Sequence, residues 1–233
     1  MPARNSIKEY IENSYYHLYN RGVEKRLIFL DDQDYSVFLS YLKEYLLPKN
    51  TSELQDIIAN PQSSWREKDK ANKSLRMNNF FGKITLFAYC LRPNHFHFLI
   101  KQKEANSIDT FMNSLATRYT MYFNKKYKRV GSLYQAVYKA VSVSTDKQLL
   151  YLSRYIHNQS LASQGEALRS WQAQKNIQPS SYPEYLGKRK TEWIKPEEIL
   201  SFFSKTNPKL SYKNFVESSD QDLSSIAKIV IED

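Results

Sequence analysis

The segment from His95 to Ile100 constrains the fold most, because its residue types alternate with the period of a β-strand. Successive side chains of a strand point to opposite faces of its sheet. Phe96 and Phe98 are therefore predicted to enter a core, while His95 and His97 emerge together on the other face. Two imidazoles about 7 Å apart along a strand can converge on one divalent metal.

The charge of the chain predicts a polyanion as partner. The 233 residues include 34 Lys and Arg against 24 Asp and Glu, which gives a formal net charge of +10. No acidic residue lies between Thr110 and Thr145, and we expect the basic residues there to bind DNA phosphates. They are Arg118, Lys125, Lys126, Lys128, Arg129 and Lys139. A solvated helix face is the alternative interpretation of the same charges.

The location of the protein is predicted from cysteine usage and apolar runs. The single cysteine, Cys90, excludes an internal disulfide framework and fits a reducing cytoplasm, with its thiol expected to be buried as a small hydrophobe. No apolar run approaches the ~18 to 20 residues of a membrane span. The first residues also lack the apolar core of a signal peptide. We therefore expect a cytoplasmic protein with no membrane partner.

The hydrophobic periods predict an α+β fold of the ferredoxin-like, RRM-like type, with an antiparallel sheet in the split order β-α-β-β-α-β. Strands are predicted at 15–19, 84–91, 95–101 and 133–143, and helices from 31 to 47, from 107 to about 124 and from 145 to about 160. Ser107 is the expected cap of the second helix. The polar stretch 49–82 is predicted to be an insertion, mobile or only partly helical. Short tail helices are expected at 196–203 and 212–217.

The last core helix places Tyr155 and Gln159 on one face, because residues four apart are neighbours on a helix. Tyr155 lies beside the apolar stripe, and Ser153 and Arg154 are expected to lie off it. If this helix packs over the histidine strand, two imidazoles, an amide oxygen and a phenol converge. Such a set suits attack on a phosphodiester, because a tyrosine can act as nucleophile and a nearby cation favours its phenolate form.

The run Pro93-Asn94-His95-Phe96-His97 resembles the HUH motif of single-tyrosine HUH transposases, and the chain looks most similar to the REP-associated tyrosine transposases within that group. Further motifs of this resemblance lie at 16–23, 119–124, 131–135, 154–159 and 180–182. The resemblance runs from about Tyr15 to Leu186. It predicts an HUH transposase domain over residues 1–186, including the insertion, and a helical C-terminal appendage over 187–233.

The resemblance implies a metal-dependent transposase that nicks and joins single-stranded DNA at hairpin-flanked sites during transposition. His95 and His97 would bind Mg²⁺ or Mn²⁺, with Gln159 as third protein ligand. Tyr155 would attack a phosphodiester, giving a 5′-phosphotyrosine link and a free 3′-hydroxyl. Proteins of this family usually act as homodimers, and a homodimer is expected here.

Some residues depart from the family pattern or leave alternatives open. Ala136-Val137-Tyr138-Lys139 stands where the family commonly has Gly-Arg-Tyr-Lys. Tyr151 is an alternative nucleophile, and His17 and His157 are interpreted as structural or orienting residues. The first rival function is a domesticated, non-catalytic DNA- or RNA-binding module of the same fold. The second is a metal-dependent hydrolase that uses water, with Tyr155 only structural.

Overall fold

A four-stranded antiparallel sheet forms the centre of the protein. The computed structural model describes residues 10–161 and 179–218. The strands are β1 (Tyr15–Arg21), β2 (Ile84–Arg92), β3 (His95–Gln102) and β4 (Lys139–Val143), in the spatial order β2-β3-β1-β4. Each strand is antiparallel to its neighbours, so β1 and β3 lie at the centre. This is the predicted ferredoxin-like order, and the predicted fold class is confirmed.

Eight helices accompany the sheet in the described ranges. They are α1 (Asp32–Leu46), α2 (Thr51–Ala59), α3 (Trp65–Arg76), α4 (Ser107–Lys126), α5 (Asp146–Leu161), α6 (Tyr182–Tyr185), α7 (Glu197–Leu200) and α8 (Tyr212–Glu217). Single 3₁₀ turns lie at Val23–Lys25 and Pro208–Leu210. Within the part of the chain that is described, no helix is long and apolar enough to span a membrane.

One face of the sheet is covered by α1 and α4 and holds an aromatic core. Phe96 and Phe98 point into it, as predicted, and their ring centroids lie 4.7 Å apart. Phe38 of α1 contacts both rings, at 5.6 and 6.1 Å between centroids. Tyr119 of α4 contacts Phe38 at 4.9 Å and donates its hydroxyl to the Ile28 carbonyl oxygen. These ring contacts pack α1 and α4 against the sheet.

The opposite face is covered by α5 and by the C-terminal segment 179–218. Leu149, Leu152 and Ile156 of α5 are buried with Leu99, as their helical spacing predicts. Ser153 and Arg154, which are predicted to lie off the apolar stripe, are nevertheless buried as well.

The C-terminal segment is the physical reason for their burial. The Tyr212 hydroxyl donates to Ser153 Oγ at 3.0 Å, and Arg154 Nη2 donates to the Ser218 carbonyl oxygen at 2.6 Å. The tail therefore holds the outer side of α5.

The stretch 49–82 is partly helical, in agreement with one of the two alternatives predicted for it. Capping by Asn50 and a Ser64–Glu67 capping box start α2 and α3, although α2 buries no residue and α3 buries only Ala71. Two other local predictions differ from the structure. The fourth strand begins at Lys139 rather than at residue 133. The cap position before α4 is Asn106 rather than Ser107. In the segment 133–138, Tyr134 and Tyr138 mimic a strand pattern but fill the core from an irregular backbone.

Candidate metal and tyrosine site

His95 and His97 lie on the α5 face of β3, as their alternation with Phe96 and Phe98 predicts. In the sheet register, His97 is opposite Tyr19 of β1 and Cys90 of β2. His95 is opposite Arg21 and Arg92. The two imidazole rings lie perpendicular to each other, with centroids 5.0 Å apart. We call these two residues the histidine pair.

Each ring of the histidine pair uses its Nδ1 atom in a hydrogen bond to a neighbour. His95 Nδ1 lies 2.6 Å from Asn94 Oδ1, and His97 Nδ1 lies 2.9 Å from His17 Nε2. The other ring nitrogen, Nε2, is buried in both residues and finds no hydrogen-bond partner among the described residues. We call these two atoms the open nitrogens. Metal-binding histidines show this pattern, because the second nitrogen holds the ring while the first coordinates.

The charge state of the histidine pair also suits a metal. Burial lowers the pKa of His95 to about 3, and the neighbouring Arg92 and Arg21 cations act in the same direction. Burial likewise lowers the pKa of His97 well below its usual value, with His17 and His95 adding to the effect. Both imidazoles are therefore neutral at neutral pH, which is the form that binds metal ions.

Tyr155 lies against the histidine pair. Its ring centroid is 5.5 Å from that of His97 and 6.4 Å from that of His17, edge to face in both cases. The docking of Leu152 and Ile156 on the sheet turns this half-buried position of α5 towards β1 and β3. The structure thus brings the tyrosine and the imidazoles together within one chain.

Gln159 lies one turn after Tyr155, in the last turn of α5. Its backbone oxygen accepts a hydrogen bond of 2.6 Å from Arg92 Nη1, and Arg92 is the sheet neighbour of His95. This turn therefore lies at the His95 end of the sheet. No three His, Cys, Asp or Glu side chains cluster as metal ligands in residues 10–161 and 179–218. A metal on the histidine pair would need a ligand of another type, such as an amide oxygen.

A cavity of about 240 Å³ opens beside the histidine pair, and we call it the basic pocket. It is lined by Tyr19, Asn20, Arg21, Lys25, His95, His97, Gln135, Ala136, Val137 and Lys139. Three of these side chains are cationic, and no carboxylate is among the described residues of the lining. The Gln135 N–H donates to the Arg21 carbonyl oxygen, which fixes the irregular segment against the end of β1. Lys139 is one of the predicted DNA-binding residues. Arg21 and Lys25 are not among them, although Arg21 lies in the motif at 16–23.

The other predicted DNA-binding residues lie on α4 or just after it, and α4 packs on the opposite face of the sheet. Arg118 pairs with Glu44 at 2.8 Å and stacks on the Tyr41 ring. Lys126 pairs with Asp31 and Asp34, at 2.7 Å each. Lys125 and Lys128 are exposed, and Arg129 donates to Asn124 Oδ1. Their DNA-binding role stays a prediction.

The remaining histidines differ in their surroundings. His157 is buried between the Tyr212 hydroxyl, at 2.7 Å, and Ser181 Oγ, at 2.8 Å, which agrees with a structural role. His17 was also interpreted as structural, but it contacts the histidine pair directly. The alternation of β1 places it on one face, yet only the pairing of β1 with β3 shows which residue it meets. Tyr151 packs its ring against Phe215 of the tail.

Part of the chain is similar in sequence to a known family. Residues 66–159 match the family described as IS200-like transposases, a stretch that contains the histidine pair, Tyr155 and Gln159. A comparison with curated proteins finds no match.

Two solved structures are similar to this chain. One is a REP-associated tyrosine transposase bound to a REP hairpin, with 9% identity, a TM-score of 0.44, and coverage of 82% of this chain and 96% of that one. The other is a protein from Deinococcus radiodurans R1 assigned as a transposase, with 17% identity, a TM-score of 0.27, and coverage of 66% and 97%.

Proposed function

Because residues 66–159 match the IS200-like transposases, we propose that this protein nicks and joins single-stranded DNA with Tyr155 as its nucleophile. In this proposal the histidine pair binds Mg²⁺ or Mn²⁺, and Gln159 supplies a further ligand. The observation that carries the proposal is the pair of open nitrogens beside the Tyr155 ring. Two buried ring nitrogens with no hydrogen-bond partner in the described ranges are costly unless a ligand uses them.

The residues around the site have separate tasks. Asn94 and His17 hold the imidazoles, and the docked face of α5 orients Tyr155. When bound, a divalent ion polarises a phosphate oxygen and stabilises charge on the departing oxygen. The neutral state of the histidine pair keeps both rings available as ligands.

The proposed reaction exchanges one phosphate ester for another. The Tyr155 phenol loses its proton, and its oxygen forms a bond to phosphorus while the bond from phosphorus to the 3′ oxygen breaks. The departing oxygen takes up a proton and becomes a free 3′-hydroxyl, and the 5′ side stays linked to the tyrosine. Attack by another 3′-hydroxyl reverses the step and joins strands. Since the number of ester bonds is unchanged, no external energy source is required.

The basic pocket supports DNA as the substrate. Arg21, Lys25 and Lys139 place positive charge next to the histidine pair, where a phosphate backbone would enter. The pocket is smaller than the ~300–1,000 Å³ clefts that enclose drug-sized ligands, so it suits one unpaired nucleotide rather than a duplex. The homodimer expected from the resemblance is not needed to assemble this site, because Tyr155 meets His97 within one chain.

The test is the covalent intermediate. The protein is incubated with Mn²⁺ and a library of hairpin-flanked single-stranded DNA, and the products are separated under denaturing conditions. We expect a protein–DNA adduct in the wild type, its loss in Tyr155→Phe, and its retention in the matched control Tyr151→Phe, one helical turn away.

Each other outcome favours a specific rival. An adduct that persists in Tyr155→Phe but not in Tyr151→Phe would identify Tyr151 as the nucleophile. Cleavage without an adduct, unchanged in Tyr155→Phe, would favour the hydrolase that uses water. Tight binding without cleavage of any member of the library would favour the non-catalytic binding module.

A further inference from the structure

His17 lies at the centre of the sheet and contacts the histidine pair from the neighbouring strand. Its side chain is fully buried, and its Nε2 atom lies 2.9 Å from His97 Nδ1. The two rings are stacked, with centroids 5.1 Å apart and planes 17° apart. Tyr19 lies beside both rings, with its centroid 4.8 Å from that of His17 and 5.8 Å from that of His97. His17 is therefore held in place by ring contacts and by its strand.

The Asn94–His95 contact shows how a neighbour can set a tautomer here. Asn94 Nδ2 donates to the Lys25 carbonyl oxygen at 3.4 Å, so its Oδ1 atom is the one that faces His95. An amide oxygen can only accept a hydrogen bond. His95 must then carry its proton on Nδ1, which leaves a lone pair on its open nitrogen.

The same requirement applies to His97. A hydrogen bond between two neutral imidazoles needs one N–H and one lone pair. His97 presents a lone pair at its open nitrogen only when its proton is on Nδ1, and that proton then points at His17 Nε2. We propose that His17 is a positioning residue, which accepts this proton and so fixes the tautomer and ring orientation of His97 for metal binding. The inference rests on the metal site of the proposed function.

Two other interpretations of His17 fit the geometry less well. As a ligand of the same metal ion, His17 would have to approach the open nitrogens, whereas its Nε2 atom faces His97 Nδ1. As a purely structural residue, it would resemble His157, which meets two hydroxyl groups. The Tyr212 hydroxyl donates to Ser153 Oγ and can only accept from His157 Nδ1, so the tautomer of His157 is fixed within the core, away from the histidine pair. His17 instead couples its own proton to that of His97, a residue of the histidine pair.

The first measurement needs neither metal nor substitution. Long-range ¹H–¹⁵N correlation spectra of the metal-free protein distinguish histidines protonated on Nδ1 from those protonated on Nε2. We expect the Nδ1–H form for both His95 and His97. Protonation of His97 on Nε2 would overturn the inference, whatever the protein does to DNA.

The second measurement is the affinity of the DNA-free protein for Mn²⁺. Removing an outer partner of a ligating histidine typically costs about 10–100-fold in metal affinity, and we expect this loss in His17→Leu. The substitution His17→Gln instead introduces an amide oxygen near the position of Nε2, so this variant should recover most of the affinity. The control His157→Gln, at a second buried imidazole, should bind Mn²⁺ like the wild type.

The outcomes separate this inference from the proposed function. If the wild type forms the Tyr155 adduct and His17→Leu keeps full Mn²⁺ affinity, the positioning role is wrong and the nuclease remains. If His17→Gln binds no better than His17→Leu, a packing role explains both variants and the inference is again overturned. If His17→Leu does not fold, the tautomer of His97 and the affinity of His17→Gln decide.

Discussion

On the α1 and α4 face of the sheet, a buried carboxylate is surrounded by donors. Asp34 accepts hydrogen bonds from Lys126 Nζ at 2.7 Å and from the hydroxyls of Tyr122 and Tyr127. On the α5 face, the histidine pair keeps its two open nitrogens buried. The Tyr134 hydroxyl of the first face is also buried without a hydrogen-bond partner in the described ranges. A single such atom therefore does not indicate a ligand, whereas two ring nitrogens that lack partners beside the Tyr155 ring do.

The two faces also differ in their positive charge. On α4, Arg118 and Lys126 are neutralised by carboxylates of α1 and its cap. Arg21, Lys25 and Lys139 instead line one cavity beside the histidine pair, and the described lining of that cavity contains no carboxylate. The density of basic residues along the sequence therefore does not identify which cations lie next to the candidate site.

The largest predicted effect is on the apolar face. Phe98→Ala should lower the free energy of unfolding by about 3–5 kcal/mol, because it removes a fully buried ring and leaves a cavity. Chemical denaturation measures the loss, and Phe81→Ala, at a ring that is 55% exposed, is the control with a change within about 0.5 kcal/mol. A loss in Phe98→Ala below about 1 kcal/mol would contradict the assignment of stability to the α1 and α4 face and of ligand binding to the α5 face.

His95→Ala, three residues away on the other face, should show the opposite profile. Mn²⁺ affinity should fall by at least roughly 100-fold, which corresponds to about 2.7 kcal/mol. The free energy of unfolding without metal should fall by only about 0.5–1.5 kcal/mol, the net contribution of the single hydrogen bond lost, from Nδ1 to Asn94, because the open nitrogen had no partner in the described ranges. Isothermal titration calorimetry measures the Mn²⁺ affinity, and chemical denaturation of the same preparation measures the free energy of unfolding. A strongly destabilised variant with unchanged Mn²⁺ affinity would make His95 a core residue.

The sequence predicts what depends on local periodicity. The period of two in β3 assigns the phenylalanines and the histidines to opposite faces, and the helical spacing of Leu149, Leu152 and Ile156 identifies the docked side of α5. Together these patterns predict Tyr155 near the histidine pair on the condition that α5 packs over β3. The physical reason is that burial of apolar surface selects the face, and the polar residues follow it.

The sequence does not predict which distant segments contact each other. Periodicity places Arg154 off the apolar stripe of its helix, but it does not show that Ser218 of the C-terminal segment contacts it. It places His17 on a strand, but not beside His97, because strand pairing sets that contact. Charge counts place Lys126 in a basic stretch, but the two aspartates that neutralise it lie on another element.

The substitution Lys126→Met tests whether this lysine stabilises the fold or binds DNA. Asp34 is fully buried, so removing its cation should cost about 2 kcal/mol, less than the ~3–5 kcal/mol of a fully buried pair because Lys126 is 21% exposed. Denaturation of this variant is compared with that of Lys125→Met, at an exposed neighbour expected to change by less than about 0.5 kcal/mol. Unchanged stability together with a loss of DNA affinity in Lys126→Met would restore the DNA-binding prediction.

The smallest predicted effect is on the salt dependence of DNA binding, and it shows where single-stranded DNA runs on the protein. For single strands, each neutralised phosphate contributes about 0.7 to the slope of log affinity against log salt concentration. Lys25→Gln should therefore lower the slope for a fluorescein-labelled oligothymidylate by about 0.7, because Lys25 lines the basic pocket. Lys125→Gln removes the same charge from α4 and should leave the slope unchanged. Fluorescence anisotropy at several salt concentrations, with metal chelated, measures both variants without cleavage. The reverse result would place the strand along α4, on the face away from the histidine pair and Tyr155.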